Sequence, residues 1–389
     1  MAAPEDKKMV LEAADAAEIE GERTAAVEQL MNPAEPRANV VGVASGVKWR
    51  SGEPTGEPAV VVLVTQKLEK ADLPAEDLVA TKIQQVKTDV VEIGYPVAEQ
   101  FRAGPPQRAL PQQPGPAFNG GDLAQGVAPQ PVMLEEQEFA TYAEAQLLRR
   151  RLRPAEGGYS VAHFQVTAGT IATCVYDILP GGATGGSPAH GLGIPGRTYI
   201  LSNNHVLANS NVAQIGDPIL QPGPLDGGVD PPDRIATLST FIPLSLEPPI
   251  PRIFHRNLVD AALAQGQFHD LDREIYWLGY VEAWRRRANV SVGTLVQKTG
   301  RTTNFTTGRI TAINATVDVG GYTGGRVGRF FDQIILTNMS APGDSGSLIT
   351  THDNVAVGLL FAGSAVATIA NQIEHVRSLL RVEVAEAIG

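Results

Sequence analysis

The stretch NMSAPGDSGSLIT, residues 338–350, sets Ser345 between two glycines and behind Asp344. Gly and Asp are common in turns for backbone reasons alone. The same pattern also suits a nucleophile, whose hydroxyl must stand on a sharp bend with small neighbours and free backbone N–H groups nearby. A nucleophile needs a base. The chain has seven histidines: His163, His190, His205, His255, His269, His352 and His375. Most sit in loop-like or charged contexts and read as surface residues. His205 differs, because it follows the apolar run YILSNN and precedes VLA. That places it at a strand end, the kind of fixed position a general base requires. The base in turn needs an orienting carboxylate. Asp260, in NLVDAALA, is an acid amid apolar residues and is costly to bury unpaired. An imidazole would supply the partner; a turn or strand-start aspartate is the alternative. His205, Asp260 and Ser345 follow in that order, 55 and 85 residues apart. This is one of the known chain orders of the nucleophile–base–acid triad.

The elements that must position these residues read as short strands. After Gly157 come YSVAHFQVTAGTIATCVYDIL, RTYILSNNHVLA, IATLSTFIPL, LVDAALAQ, VGTLVQKTG, GRITAINATVDV, DQIILTNM and GSLITTHDNVAVGLLFAGS, broken by Gly, Pro and Asn. Many short strands with turn signals predict a barrel or sandwich. NQIEHVRSLLRVEVAEAI predicts a closing helix. Residues 1–31 predict one Ala/Glu-rich helix ending before Asn32-Pro33. Residues 38–102 predict a small ββαβ unit with its helix over LPAEDLVATKI, a regulatory or assembly module. Residues 103–131 are a Pro/Gly/Gln-rich linker with little to bury, and residues 132–156 predict a connecting helix, acidic first and basic last. Residues 157–389 then form the main domain.

Composition narrows the function. The 389 residues are 43% hydrophobic and 19% charged, as in a soluble globular protein. Forty glycines and 28 prolines favour a loop-rich β fold. A net charge of −11 gives no reason to expect a nucleic acid partner, and the short RRR clusters read as solvated surface. No run is apolar and long enough to span a membrane, and the acidic N-terminus lacks a signal-peptide pattern. With the single Cys174 unable to form an internal disulfide, the expected location is cytoplasmic. Cys174 itself reads as a buried structural thiol. No clustered His, Asp and Glu spacing suggests a metal. Whether copies associate into a homo-oligomer is left open.

LSNNHVLA, VDAALA and PGDSGSLI resemble the three signature segments of chymotrypsin-like (trypsin-like) serine peptidases, with coverage from about Gly158 to Val384. QKTGRTTNFTTGRITAINATV is similar to the start of the second barrel in the disulfide-free bacterial branch, the streptogrisin and α-lytic type. VGLLFAGS is similar to the substrate-binding strand that follows the nucleophile. With GEPTGEPAVVVLV and TDVVEIG ahead of these, the chain also resembles the plant narrow-leaf trypsin-like proteins and their bacterial relatives.

The resemblance implies a mainly β fold, a chymotrypsin-like double six-stranded β-barrel with a small α+β N-terminal domain. It implies a serine endopeptidase acting on protein or peptide, with no cofactor and no metal. The oxyanion hole would be the backbone N–H groups of Gly343 and Ser345. Met339, Phe361, Ala362 and Gly363 would contact substrate. Met339 stands where enzymes that cut after basic residues carry an aspartate, so apolar or small residues are expected at the cleaved position. Asp344 would need a cation, Lys298 by match to the family and Arg301 as the fallback. The chain departs from the family in three places. Ser347 replaces a glycine, no IVGG-like segment follows the linker, and Phe361 replaces a serine that helps hold the triad aspartate. A phenylalanine cannot donate that hydrogen bond. The rival expectation is a catalytically silent trypsin-fold scaffold or regulatory binding protein.

Overall fold

The structure, a computed structural model, describes residues 8–98 apart from 36, 38 and 52, then 147–177, 197–385 and the backbone of 387–388. Two helices, α1 (Ala13–Glu18) and α2 (Glu20–Leu30), precede the strands β1 (Val40–Arg50), β2 (Glu53–Val64), β3 (Lys82–Ile83), β4 (Val86–Glu92) and β5 (Val97–Ala98). Next come β6 (Ala155–Gly157), β7 (Ser160–His163), β8 (Gly169–Thr170), β9 (Thr173–Asp177) and β10 (Thr198–Ser202). A single helical turn, α3 (Asn204–Leu207), leads to β11 (Pro218–Leu220), β12 (Arg234–Phe241), β13 (Ala262–Gly266), β14 (Leu271–Ile275) and β15 (Ala283–Trp284). The chain continues through β16 (Leu295–Gly300), β17 (Asn304–Tyr322), β18 (Arg326–Thr337), β19 (Leu348–Thr351), β20 (Val355–Gly363) and β21 (Ala367–Gln372). It ends with α4 (Ile373–Leu380), β22 (Val382–Glu383) and β23 (Ala387–Ile388).

The fold is mainly β, with two large sheets and a small N-terminal α+β region. One sheet has eight strands in the order β22-β9-β10-β13-β12-β11-β7-β8. The other has thirteen. Its six strands β16 to β21 close a ring, because β16 pairs both β19 and β17. The eight-strand order does not return on itself among the described strands, so a pair of six-stranded barrels is not what the pairing gives. Alternating burial explains why the strands curl. Val175, Leu201 and Leu263 point into one core, and Cys174, Ile200, Ala262 and Ala264 into another, on opposite faces of the same sheet.

Three expectations change. The helix over residues 1–31 is two helices broken at Ile19, whose φ of −101° and ψ of 13° leave the helical region. The break lets α1 pack Ala16 beside Leu11 and Val292 while α2 packs Ala26 and Leu30 against Val43, Val60 and Val62. The helix expected over LPAEDLVATKI is only the 3-10 turn Ala75–Asp77, which buries no residue, followed by β3. Without an apolar face to bury, so short a helix has nothing to hold it. The N-terminal strands join the main sheet, because β1 pairs antiparallel with β17 and extends the ring's sheet. The closing helix stops at Leu380, where Arg381 takes φ 57° and ψ 45°, and β22 and β23 follow. The 103–131 linker lies outside the described residues, as does most of the 132–156 segment.

Cys174 lies in β9 and is buried; burial pushes its thiol up to about 11. A thiol reagent at pH 8 should therefore label the native chain roughly a hundredfold more slowly than the chain in guanidinium. Equal rates would place Cys174 at the surface.

Candidate active site

Strand β10 carries the chain to Ser202, and Asn203 turns it into α3, where His205 is held. Asp260 sits just before β13, the neighbour of β10, so the two side chains meet across one strand pair. His205 Nδ1 lies 2.7 Å from Asp260 Oδ2, and the His205 backbone N–H donates to Asp260 Oδ1 at 3.1 Å. Both residues are 0% exposed. The asparagines before the base complete the frame. Asn203 Nδ2 donates to the Asp260 carbonyl at 2.8 Å, and Asn204 Nδ2 donates to Asn211 Oδ1 and the Ile242 carbonyl, each at 2.8 Å. From the other sheet, Asn371 Oδ1 accepts from the Asp260 N–H at 3.0 Å.

Sequence reasoning missed Tyr322. Its hydroxyl donates to Asp260 Oδ2 at 2.9 Å from the end of β17. Burial first, and the Asp260 charge second, hold this phenol well above its ordinary range, so it stays a donor. The ring stacks on Phe330, which packs on Phe361 with centroids 4.7 Å apart. The hydrogen bond that Phe361 cannot make thus comes from a tyrosine seated on the same aromatic column. The only sequence signal was VGGYTGG, a polar-tipped aromatic between glycine pairs.

Ser345 occupies the tight turn between β18 and β19. Gly343 and Gly346 flank it with φ of 100° and 98°. A Cβ on Gly346 would meet Ser202 Oγ and the Thr170 carbonyl at 2.2 Å, so this position admits only glycine. Ser345 is 0% exposed, and its Oγ has no hydrogen-bond partner among the described residues. Hydrogen bonds to a nucleophile are often loose before substrate docks. The Asp344 and Gly346 N–H groups donate to the Ala341 and Leu360 carbonyls, whereas those of Gly343 and Ser345 have no acceptor among the described residues. Thr170, also missed, ties the turn to the first sheet: its N–H donates to the Ser345 carbonyl and its Oγ1 to the Gly343 carbonyl, both at 2.8 Å.

Asp344 points away from Ser345 into a cage of donors. Lys298 Nζ lies 3.0 Å from Oδ2, with both side chains 0% exposed. The Thr302 and Thr303 N–H groups donate to Oδ1 at 2.8 and 3.1 Å, and the Ala341 N–H to Oδ2 at 3.1 Å. Arg301, the fallback cation, pairs with Asp226 instead.

The other histidines sort by their ring nitrogens. His163 and His255 are fully buried, contrary to the surface reading. His163 Nε2 meets Asp217 at 3.0 Å while Nδ1 accepts from the Gln165 N–H. His255 Nε2 meets the Ile250 carbonyl and Nδ1 accepts from the Arg329 N–H. Burial lowers both imidazoles below their ordinary range. With both nitrogens committed, neither can act as a base toward Ser345. The expected substrate contacts are divided. Met339 packs in a core with Val47, Ile310 and Leu360, and Phe361 in the column with Phe330. Ala362 and Gly363 present backbone along one edge of β20. No group of three or more metal-ligating side chains occurs among the described residues, and no described helix is long and apolar enough to cross a membrane.

No family model matches the chain. Serine protease 2 of Streptomyces fradiae is 42% identical over 77 residues, 20% of this chain. The chain spans 40% of the length of that curated relative. Among solved structures, protease A of Thermobifida fusca is 16% identical with a TM-score of 0.39, covering 60% of this chain and 98% of that one. The Nocardiopsis protease is 16% identical with a TM-score of 0.38, covering 59% and 97%.

The Lys298–Asp344 pair generates a test. Breaking a fully buried pair on one side leaves an uncompensated charge, which costs about 3–5 kcal/mol. Urea unfolding of Lys298→Met should show a loss of that size, and any hydrolysis that Ser345 carries should fall with Ser345 unaltered because the turn is no longer anchored. Unchanged stability and activity would reduce Lys298 to a passive neighbour.

Proposed function

We propose that this chain is a serine endopeptidase of the chymotrypsin-like kind, from the disulfide-free bacterial branch. The observation that carries the reading is the buried Asp260 carboxylate, bonded at once to the ring and to the backbone of His205. A carboxylate without exposure needs such partners. An imidazole so fixed at Nδ1 is oriented to use Nε2 as a base.

In this reading His205 takes the Ser345 proton as Oγ attacks a peptide carbonyl. The C–N bond then breaks as His205 returns the proton to the leaving amine, and water releases the acyl group by the same route. Asp260 keeps the Nδ1 tautomer and balances the imidazolium charge. Gly343 and Ser345 donate their N–H groups to the oxyanion, each worth about 3 kcal/mol in the transition state. Residues 157–389 would be the peptidase part, and residues 38–102 the regulatory or assembly part that carries the narrow-leaf resemblance. A cytoplasmic location fits a chain that builds this site without disulfides.

Steady-state hydrolysis of a peptide substrate tests the roles. Ser345→Ala and His205→Ala should abolish turnover with the fold kept. Asp260→Asn should lower kcat by about four orders of magnitude, because the imidazole is held in the wrong tautomer. Tyr322→Phe removes one hydrogen bond to a charged group and should lower kcat roughly tenfold at constant KM. Wild-type turnover in Asp260→Asn would remove Asp260 from the triad.

Specificity follows from charge. Asn338, Met339 and Ser340 carry no charge, and a substrate cation there would be desolvated without a partner. Digestion of a peptide library should show cuts after apolar or small residues. Dominant cutting after Arg or Lys would refute this pocket.

A further inference from the structure

The edge of β20 that the peptidase reading assigns to substrate is already occupied. Strand β5 pairs with it antiparallel, Val97 opposite Gly363 and Ala98 opposite Ala362. The other edge of β20 belongs to β21, so this is the only edge a peptide could use there. Segment Ile93–Ala98 is held on both sides. On one side Ser364 Oγ donates to the Ile93 carbonyl. On the other, the Gly320 N–H donates to the Pro96 carbonyl at 3.0 Å, and Gly320 pairs with Val97. The second wall is bare because the fit is close: a Cβ on Gly320 would lie 2.8 Å from the Tyr95 ring, and one on Gly321 would lie 3.2 Å from the Ala98 carbonyl oxygen. Ala98 is buried in the same core as Phe361, Ala362 and Tyr322.

Direction matters as well. From Gly363 back to Leu360, β20 approaches the nucleophile turn, since the Gly346 N–H donates to the Leu360 carbonyl and the Leu360 N–H donates to the Ser347 carbonyl. The antiparallel segment runs the same way, from Gly363 at Val97 to Ala362 at Ala98, toward Ser345. An extended peptide with its carbonyl aimed at Ser345 would lie along this edge in this direction, which is strand addition.

We propose that the channel between Gly320–Gly321 and Ala362–Ser364 is the binding site for an extended apolar peptide, and that Ile93–Ala98 of the same chain fills it as a tethered competitor. This names the regulation of the proposed peptidase site and rests on that reading. A tethered occupant competes at an effective concentration on the order of millimolar, so peptides at micromolar levels are excluded until it is displaced.

The test uses the full chain with two substitutions that loosen the segment. Ala98→Asp puts a charge into the buried core, and Tyr95→Ala removes the exposed ring that rests on Gly320. If Ala98→Asp does not fold, Tyr95→Ala carries the experiment. The probe is a fluorescent hexapeptide copying Ile93–Ala98, with a scrambled hexapeptide as control, and binding is read by anisotropy in a Ser345→Ala background. The loosened chains should bind the copy at least tenfold more tightly than the unloosened chain and gain nothing for the scramble. With Ser345 restored, kcat/KM for an apolar tetrapeptide amide should rise at least tenfold, while hydrolysis of phenyl acetate, too small to need the channel, stays the same. Folded loosened chains with unchanged hexapeptide affinity would overturn the proposal. Tighter hexapeptide binding without any amide hydrolysis would uphold the channel and defeat the peptidase reading.

Discussion

A carboxylate removed from water has to be met by donors, and Asp260 is where this chain concentrates that demand. Its oxygens take the His205 N–H, the His205 ring and the Tyr322 hydroxyl, while its own N–H and carbonyl are held by Asn371 and Asn203. The partners arrive from α3, β17, β21 and Asn203, which links β10 to α3. The two sheets therefore cannot separate without exposing or orphaning this charge. Satisfying it also fixes the imidazole, so the stability of the sheet junction and the orientation of the His205 ring are one requirement.

A second buried carboxylate does for the serine what Asp260 does for the histidine. Asp344 is held by Lys298 and by backbone N–H groups of the β16–β17 turn, while Thr170 of the first sheet holds the carbonyls of Gly343 and Ser345. The turn is thus gripped from both sheets. What stays unengaged among the described residues is the Ser345 hydroxyl and the N–H groups of Gly343 and Ser345. In the proposed reaction these two backbone donors are the ones free to meet an oxyanion as it forms.

The residues proposed to bear chemistry were legible because their constraints are local. Glycines on both sides of Ser345 mark positive φ, and an acid in an apolar run marks a paired charge. Their supports were not legible, since they are long-range pairings. Tyr322 lies 62 residues from Asp260, and Thr170 lies 173 residues from Gly343. The buried histidines show the same limit, because His163 and His255 owe their burial to partners on other strands. In the fold, short strands and turns were readable, whereas the pairing of β1 with β17 was not. An alternating pattern tells which face is buried but not which neighbour buries it. The weak helix over residues 73–83 failed because propensity without an apolar face does not hold a helix.

The proposed reaction requires that His205 activate Ser345 and no other serine. Mass mapping of the folded chain after treatment with a small alkyl fluorophosphonate tests it directly. A single adduct is expected on Ser345, and it should disappear in folded His205→Ala. No adduct on the folded chain, or an adduct on another serine, would contradict it.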